Sequence, residues 1–152
     1  MRSSQAAPGA GTIQPPEGPA NTGMTSQHPN VTTLRAVYTD LRAIGRYCAP
    51  TIALHPAHHT RCDTGTLLGL DAATAHEQAL FSLTHDTVVM ELEYVAANDH
   101  YGVAIGLMHA EEPTPVQVPF CGVWQFDDQG RLVEHWEHDT EPTAFTALTP
   151  DI

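Results

Sequence analysis

His135, Glu137, Asp139 and Glu141 crowd the end of one apolar run, with His138 among them and Trp124 and Trp136 close by. A carboxylic acid beside aromatic walls is held up in pKa by burial, so it can move protons near neutrality. A neighbouring His or Tyr can hydrogen-bond to a developing enolate. A second group is His55-Pro56-Ala57-His58-His59. Imidazoles relay protons near pH 7 or bind metals as neutral ligands. No HExxH pattern exists and Pro56 argues against a regular element, so no metal site is assigned. The metal alternative is an enzyme using His55, His58 and a histidine of the last strand. No phosphate loop, dinucleotide glycine motif or GxSxG elbow occurs. Ser82 is the only serine beyond residue 29, which disfavours serine hydrolase chemistry.

These groups sit on a hairpin. Two apolar runs, Phe120 to Phe126 and Arg131 to Glu137, flank Asp127-Asp128-Gln129-Gly130, a turn whose glycine supplies a positive φ. Strict alternation puts Leu132, Glu134 and Trp136 on one face and Val133, His135 and Glu137 on the other. His135 and Trp136 then line opposite sides unless a bulge intervenes. Upstream, Val31, Leu34, Val37, Tyr38 and Leu41 keep helical spacing after an Asn30 cap, predicting a helix to about Gly45. Ile52 and Leu54 against Ala53 and His55 signal a strand. Asp71 caps a second predicted helix, with Ala72, Ala75, Ala79 and Leu80 packing and His76 exposed. Val88 to Val95 and Tyr101 to His109 alternate as strands around Ala97-Asn98-Asp99-His100. Two helices followed by an antiparallel meander predict an α+β fold. Glycines 102, 106 and 122 would let the sheet curve.

The chain has 152 residues and a net charge of −12, with no lysine. One domain is expected. No basic patch can be drawn, which excludes nucleic acid and anionic membrane as natural partners. No apolar run approaches the roughly 20 residues of a membrane span. Cys48, Cys62 and Cys121 form no CxxC pair, and an odd count without a secretory signal suits the cytoplasm. Residues 1–29 are rich in Pro, Gly, Ala, Ser and Gln and read as a disordered tail, with Met24 an alternative start. The domain is then residues 30–152.

Hydrophobic-Cys-Gly-x-Trp-x-Phe, then Asp-x-x-Gly-Arg-hydrophobic-Val-Glu-His-Trp-Glu, resembles the closing hairpin of SnoaL-like proteins in the nuclear-transport-factor-2-like superfamily. The resemblance implies a cone: a curved antiparallel sheet wrapped by N-terminal helices, a cystatin-like α+β barrel with a pocket inside. It implies a cofactor-independent cyclase or isomerase acting on a hydrophobic oxygenated metabolite such as a polyketide intermediate. The family pattern places an acid four or five positions after the tryptophan. Asp139 falls one position short, and a one-residue bulge would realign it; Glu141 comes next. With His135, and with His55 on a strand bordering the pocket, these form the expected catalytic set. Tyr94, Trp124, Trp136 and His58 are the expected lining. A homodimer over the outer sheet face, where Glu91, Glu93 and Gln125 are expected, is common among relatives. The fold also hosts non-catalytic ligand-binding and dimerisation modules. No Asp–Arg–Asp set of the epoxide hydrolase type is recognisable.

Overall fold

A computed structural model describes residues 27–57 and 65–139 of the chain. Helix α1 (Pro29–Thr39) starts at Pro29, where a proline loses no helical hydrogen bond. His28, not Asn30, is its cap: the Asn30 N–H donates to His28 Nδ1 at 3.1 Å. Asn30 instead turns its side-chain amide to the Asn98 carbonyl at 2.9 Å, tying the helix to a hairpin loop. The helix ends before Gly45, because Asp40 breaks the register and its carboxylate caps a 3₁₀ turn over Leu41–Arg46. Leu34, Val37 and Ile44 on this stretch are fully buried. Each such side chain contributes roughly 1.5–3 kcal/mol of transfer free energy.

Strands β1 (Cys48–His55) and β2 (Leu67–Leu68) precede helix α2 (Leu70–Leu83). Then follow β3 (Val89–Ala97), β4 (Tyr101–Ala110), β5 (Val116–Phe126) and β6 (Leu132–Asp139). They make one six-stranded sheet in the order β2-β1-β6-β5-β4-β3. The meander β3 to β6 is antiparallel throughout. β1 lies parallel to β6, with Leu54 opposite His135 and His55 opposite Trp136. Among the described residues this parallel pair is the one departure from the expected antiparallel sheet, and it brings the early strand beside the last.

One sheet face carries the core. Trp124, Leu54, Ile52 and Leu132 are fully buried on it, under α1 and α2. α2 turns a different face inward from the expected one: Ala73 and Glu77 are buried, while Ala75 and Ala79 are exposed. Its start is Gly69, whose φ of 91° suits glycine, with Asp71 in the first turn rather than at the cap. Gly130 has a φ of 75° and closes the β5–β6 hairpin as a glycine turn.

Candidate active site on the inner face of the sheet

Strand β6 is bulged. Phe126 pairs with Leu132 and Gln125 with Glu134, so Val133 is an extra residue against β5. Strict alternation therefore fails at this point. Leu132 and His135 are both buried on the inner face, with Glu137 following two residues on. Trp136 turns to the outer face. The bulge changes which side chains accompany Leu132, but His135 and Trp136 still face opposite ways.

On the inner face three donors converge. Glu77 from α2 and His135 and Glu137 from β6 each offer a ligand atom within 4.8 Å of the others. Glu77 and His135 are 5 % and 4 % exposed. His76, one residue before Glu77, bonds both Glu137 carboxylate oxygens through Nε2 at 3.0 and 3.2 Å. The Ala57 N–H donates to Glu137 Oε2 at 3.3 Å. The His135 ring stacks on Trp124 with centroids 3.4 Å apart and planes 7° apart. Among the described residues neither His135 nitrogen has a hydrogen-bond partner, although both are buried. A buried polar atom without a partner costs about 1–3 kcal/mol, so its retention needs a reason.

Tyr38 from α1 completes the wall. Its Oη accepts a hydrogen bond from Trp124 Nε1 at 3.1 Å, and its ring stacks on Phe120 at 5.2 Å. Gly122 makes the room. A Cβ there would collide with Tyr38 Oη and lie 3.1 Å from both His135 Nε2 and Trp124 Nε1.

The electrostatics separate the two carboxyls. Burial pushes Glu77 up to about 8, and the nearby Glu137 charge adds to this against a smaller pull from His76. Burial also raises Glu137, but the hydrogen bond from His76, the His135 and His76 charges and the Ala57 N–H outweigh it and leave it below the ordinary value. Burial pulls His135 down to about 4 against the attraction of Glu137, so its ring is neutral at pH 7. Burial, chiefly, holds Tyr38 well above the ordinary tyrosine value, although the Trp124 hydrogen bond opposes it. The arrangement can hold a proton on Glu77 beside an ionised Glu137, the pattern by which paired groups divide acid and base roles.

The residues singled out from the sequence are divided between two faces. His135 and Trp124 meet on the inner face. His55 lies on the outer face, its Nε2 2.8 Å from Glu134 Oε1, its Nδ1 3.0 Å from Thr66 Oγ1, its ring stacked on Trp136. Tyr94 is 57 % exposed on the outer face, away from the cluster. The Asp139 backbone is in register with Phe120 at the end of β6. The Asp139 side chain, Glu141 and His58 lie outside what the structure describes. Glu77, Tyr38 and His76 were not singled out from the sequence as site residues. Glu77 had a legible signal: Leu70, Ala73, Glu77 and Leu80 fall at helical spacing, so a carboxylate interrupts an apolar stripe. A surface depression of about 310 Å³ lies elsewhere, lined by Asp40, Arg42, Ala43, Gly45, Arg46 and Thr74. It contains none of the converging donors.

Comparison with solved structures places the fold. Bal32a, from a soil-derived mobile gene cassette, superposes with a TM-score of 0.69 at 22% identity, covering 80% of this chain and 96% of that one. A Xanthomonas campestris protein of unknown function with a cystatin-like fold gives a TM-score of 0.67 at 14% identity, covering 80% and 98%. IdmH from Streptomyces antibioticus, described as a candidate polyketide cyclase, gives a TM-score of 0.63 at 17% identity, covering 81% and 100%. No curated protein matches the sequence. A family model described as a SnoaL-like domain matches residues 35–135, well over half of the chain, and the protein belongs to that SnoaL-like family.

Proposed function

We propose that the protein is a cofactor-independent acid–base enzyme, a cyclase or isomerase acting on a hydrophobic oxygenated metabolite of the polyketide type. The observation that carries this reading is the convergence of Glu77, His135 and Glu137 at the inner face of the sheet. Two carboxyls this close and this deep hold at least one proton between them, because a second buried charge is costly. One of them can therefore give a proton while the other takes one. Glu137, oriented by His76, is the proposed base. Glu77 is the proposed acid. The neutral His135, stacked on Trp124, would meet a substrate oxygen with a nitrogen that has no partner among the described residues. Trp124, Tyr38 and Phe120 would provide the apolar wall. The similarity to a candidate polyketide cyclase supports the substrate class.

The test is mutational. Glu137→Gln is expected to lower turnover by about 10²–10⁴-fold, the usual worth of a positioned base, with substrate binding retained. Asp139→Asn combined with Glu141→Gln tests the carboxylates expected from the family pattern. Loss of turnover there, with full activity in Glu137→Gln, moves the base to the end of β6. Retention of a ligand by every variant without chemical change points instead to a binding module.

We also propose a homodimer over the outer face. Tyr94, Tyr101 and Ile105 are 57 %, 51 % and 40 % exposed on adjacent strands β3 and β4, and no charged side chain separates Tyr94 from Ile105 in the pairing register. A chain of net charge −12 is repelled least by its own copy where a face is low in charge, as this one is between Tyr94 and Ile105.

A further inference from the structure

We propose that Glu77, His135 and Glu137 form a site for one divalent transition-metal cation of the zinc class. Two independent observations meet here. The first is the donor set itself: two carboxylates and one imidazole, from two different elements, with ligand atoms within 4.8 Å of one another. The second is His135, which is 4 % exposed with both nitrogens buried and, among the described residues, unpartnered. A neutral imidazole with a free lone pair is the form in which histidine binds metals. Two carboxylates and one neutral imidazole balance a charge of +2, and such mixed N/O sets suit zinc, manganese, iron or cobalt.

The geometry is near what ligation needs. Three ligand atoms about 2.1 Å from one ion in tetrahedral geometry sit about 3.4 Å apart. Donors already within 4.8 Å of one another reach this by drawing in by up to about 1.4 Å, a shift that side-chain rotation supplies. Glu137 is already oriented by an outer partner, since His76 Nε2 and the Ala57 N–H hold its carboxylate. Outer hydrogen bonds of this kind commonly fix metal ligands in place. A path also exists: the Glu137 and His76 side chains keep 24 % and 31 % exposure, so the cluster opens to solvent at one corner. The site is the one proposed above for proton transfer. A cation and a transferable proton compete for the same lone pairs, so occupancy by metal is expected to silence metal-free turnover. The silencing of turnover rests on the acid–base reading; the binding itself does not.

The protein supplies its own reporter. It has two tryptophans, and in Trp136→Phe only Trp124 remains, stacked against the His135 ring. The full chain, stripped with a chelator, is titrated with CoCl₂ while Trp124 fluorescence is followed, and with ZnCl₂ in a calorimeter. The expected result is saturable one-to-one binding with Trp124 quenched by cobalt. His135→Ala, Glu77→Gln and Glu137→Gln should each weaken binding by more than about tenfold, and His76→Ala by about tenfold or more through lost orientation. The two Glu→Gln changes keep side-chain volume, so a folded variant is available even where His135→Ala collapses. His55→Ala, on the outer face, should bind as the parent does. The proposal is overturned by the absence of one-to-one binding, or by binding that survives in folded Glu77→Gln and Glu137→Gln. Because the readout is binding and not turnover, its failure leaves the proton-transfer reading intact, and an inactive enzyme leaves the cation site intact.

Discussion

Glu77 occupies the position on α2 where an apolar side chain would complete the stripe begun by Leu70 and Ala73 and resumed at Leu80. A carboxyl at 5 % exposure weakens the fold relative to an apolar group of similar size, so its presence points to work done there. Glu77→Met is therefore expected to raise unfolding free energy by about 1 kcal/mol or more in urea denaturation while abolishing turnover. Unchanged or lower stability with activity kept would contradict a functional role for this carboxyl. His135 was legible from the hairpin motif, and Trp124 from its alternation with Phe126. Glu77 was legible only in part: helical spacing marks it as buried, but spacing within one helix does not say which strand residue it meets. That meeting is a tertiary fact, set by where α2 lies against β1 and β6. Tyr38 was legible as core for the same reason, and its polar contact with Trp124 was not.

At the scale of elements, the bulge at Val133 and the small residue at Gly122 shape the site together. Gly122 admits the Tyr38 hydroxyl to the face where His135 and Trp124 sit. Gly122→Ala is expected to cost about 1–3 kcal/mol of stability by overpacking and to break the Trp124–Tyr38 hydrogen bond. The stability loss would be read by chemical denaturation and the broken bond by the Trp124 indole N–H resonance. A neutral substitution would show that the close approach has slack. The hairpin, its glycine turn and the meander strands were legible from alternation and turn residues. Two things were not. Alternation counted from Leu132 gives no sign of the extra residue at Val133, because a bulge is fixed by the partner strand. The first helix looked continuous to Gly45 because Val37, Leu41 and Ile44 stay apolar across the break at Asp40, where the local carboxylate cap wins over periodicity.

At the scale of the whole molecule, the parallel β1–β6 pair brings the N-terminal half of the chain against its last strand, so inner and outer faces both draw on both ends of the sequence. His55, Glu134, Thr66 and Trp136 form the outer counterpart of the inner cluster and tie β1 to β6 across that pair. Further along the sheet the outer face exposes Tyr94, Tyr101 and Ile105, with the Glu91–His109 pair beside them, and Tyr94→Glu with Ile105→Glu is expected to convert a dimer to a monomer in sedimentation experiments. A parent chain that sediments as a monomer would contradict the proposed assembly. The fold class was legible because the motif and the element order agree. The parallel pair was not, since nothing in β1 alone states its neighbour. Proton movement by the inner cluster is read by solvent deuterium incorporation into polyketide-type β-diketones, followed by mass spectrometry. The parent protein is expected to catalyse exchange, lowered about 10²-fold or more in Glu77→Gln with Glu137→Gln. Catalysed exchange that persists undiminished in that folded double variant would contradict it.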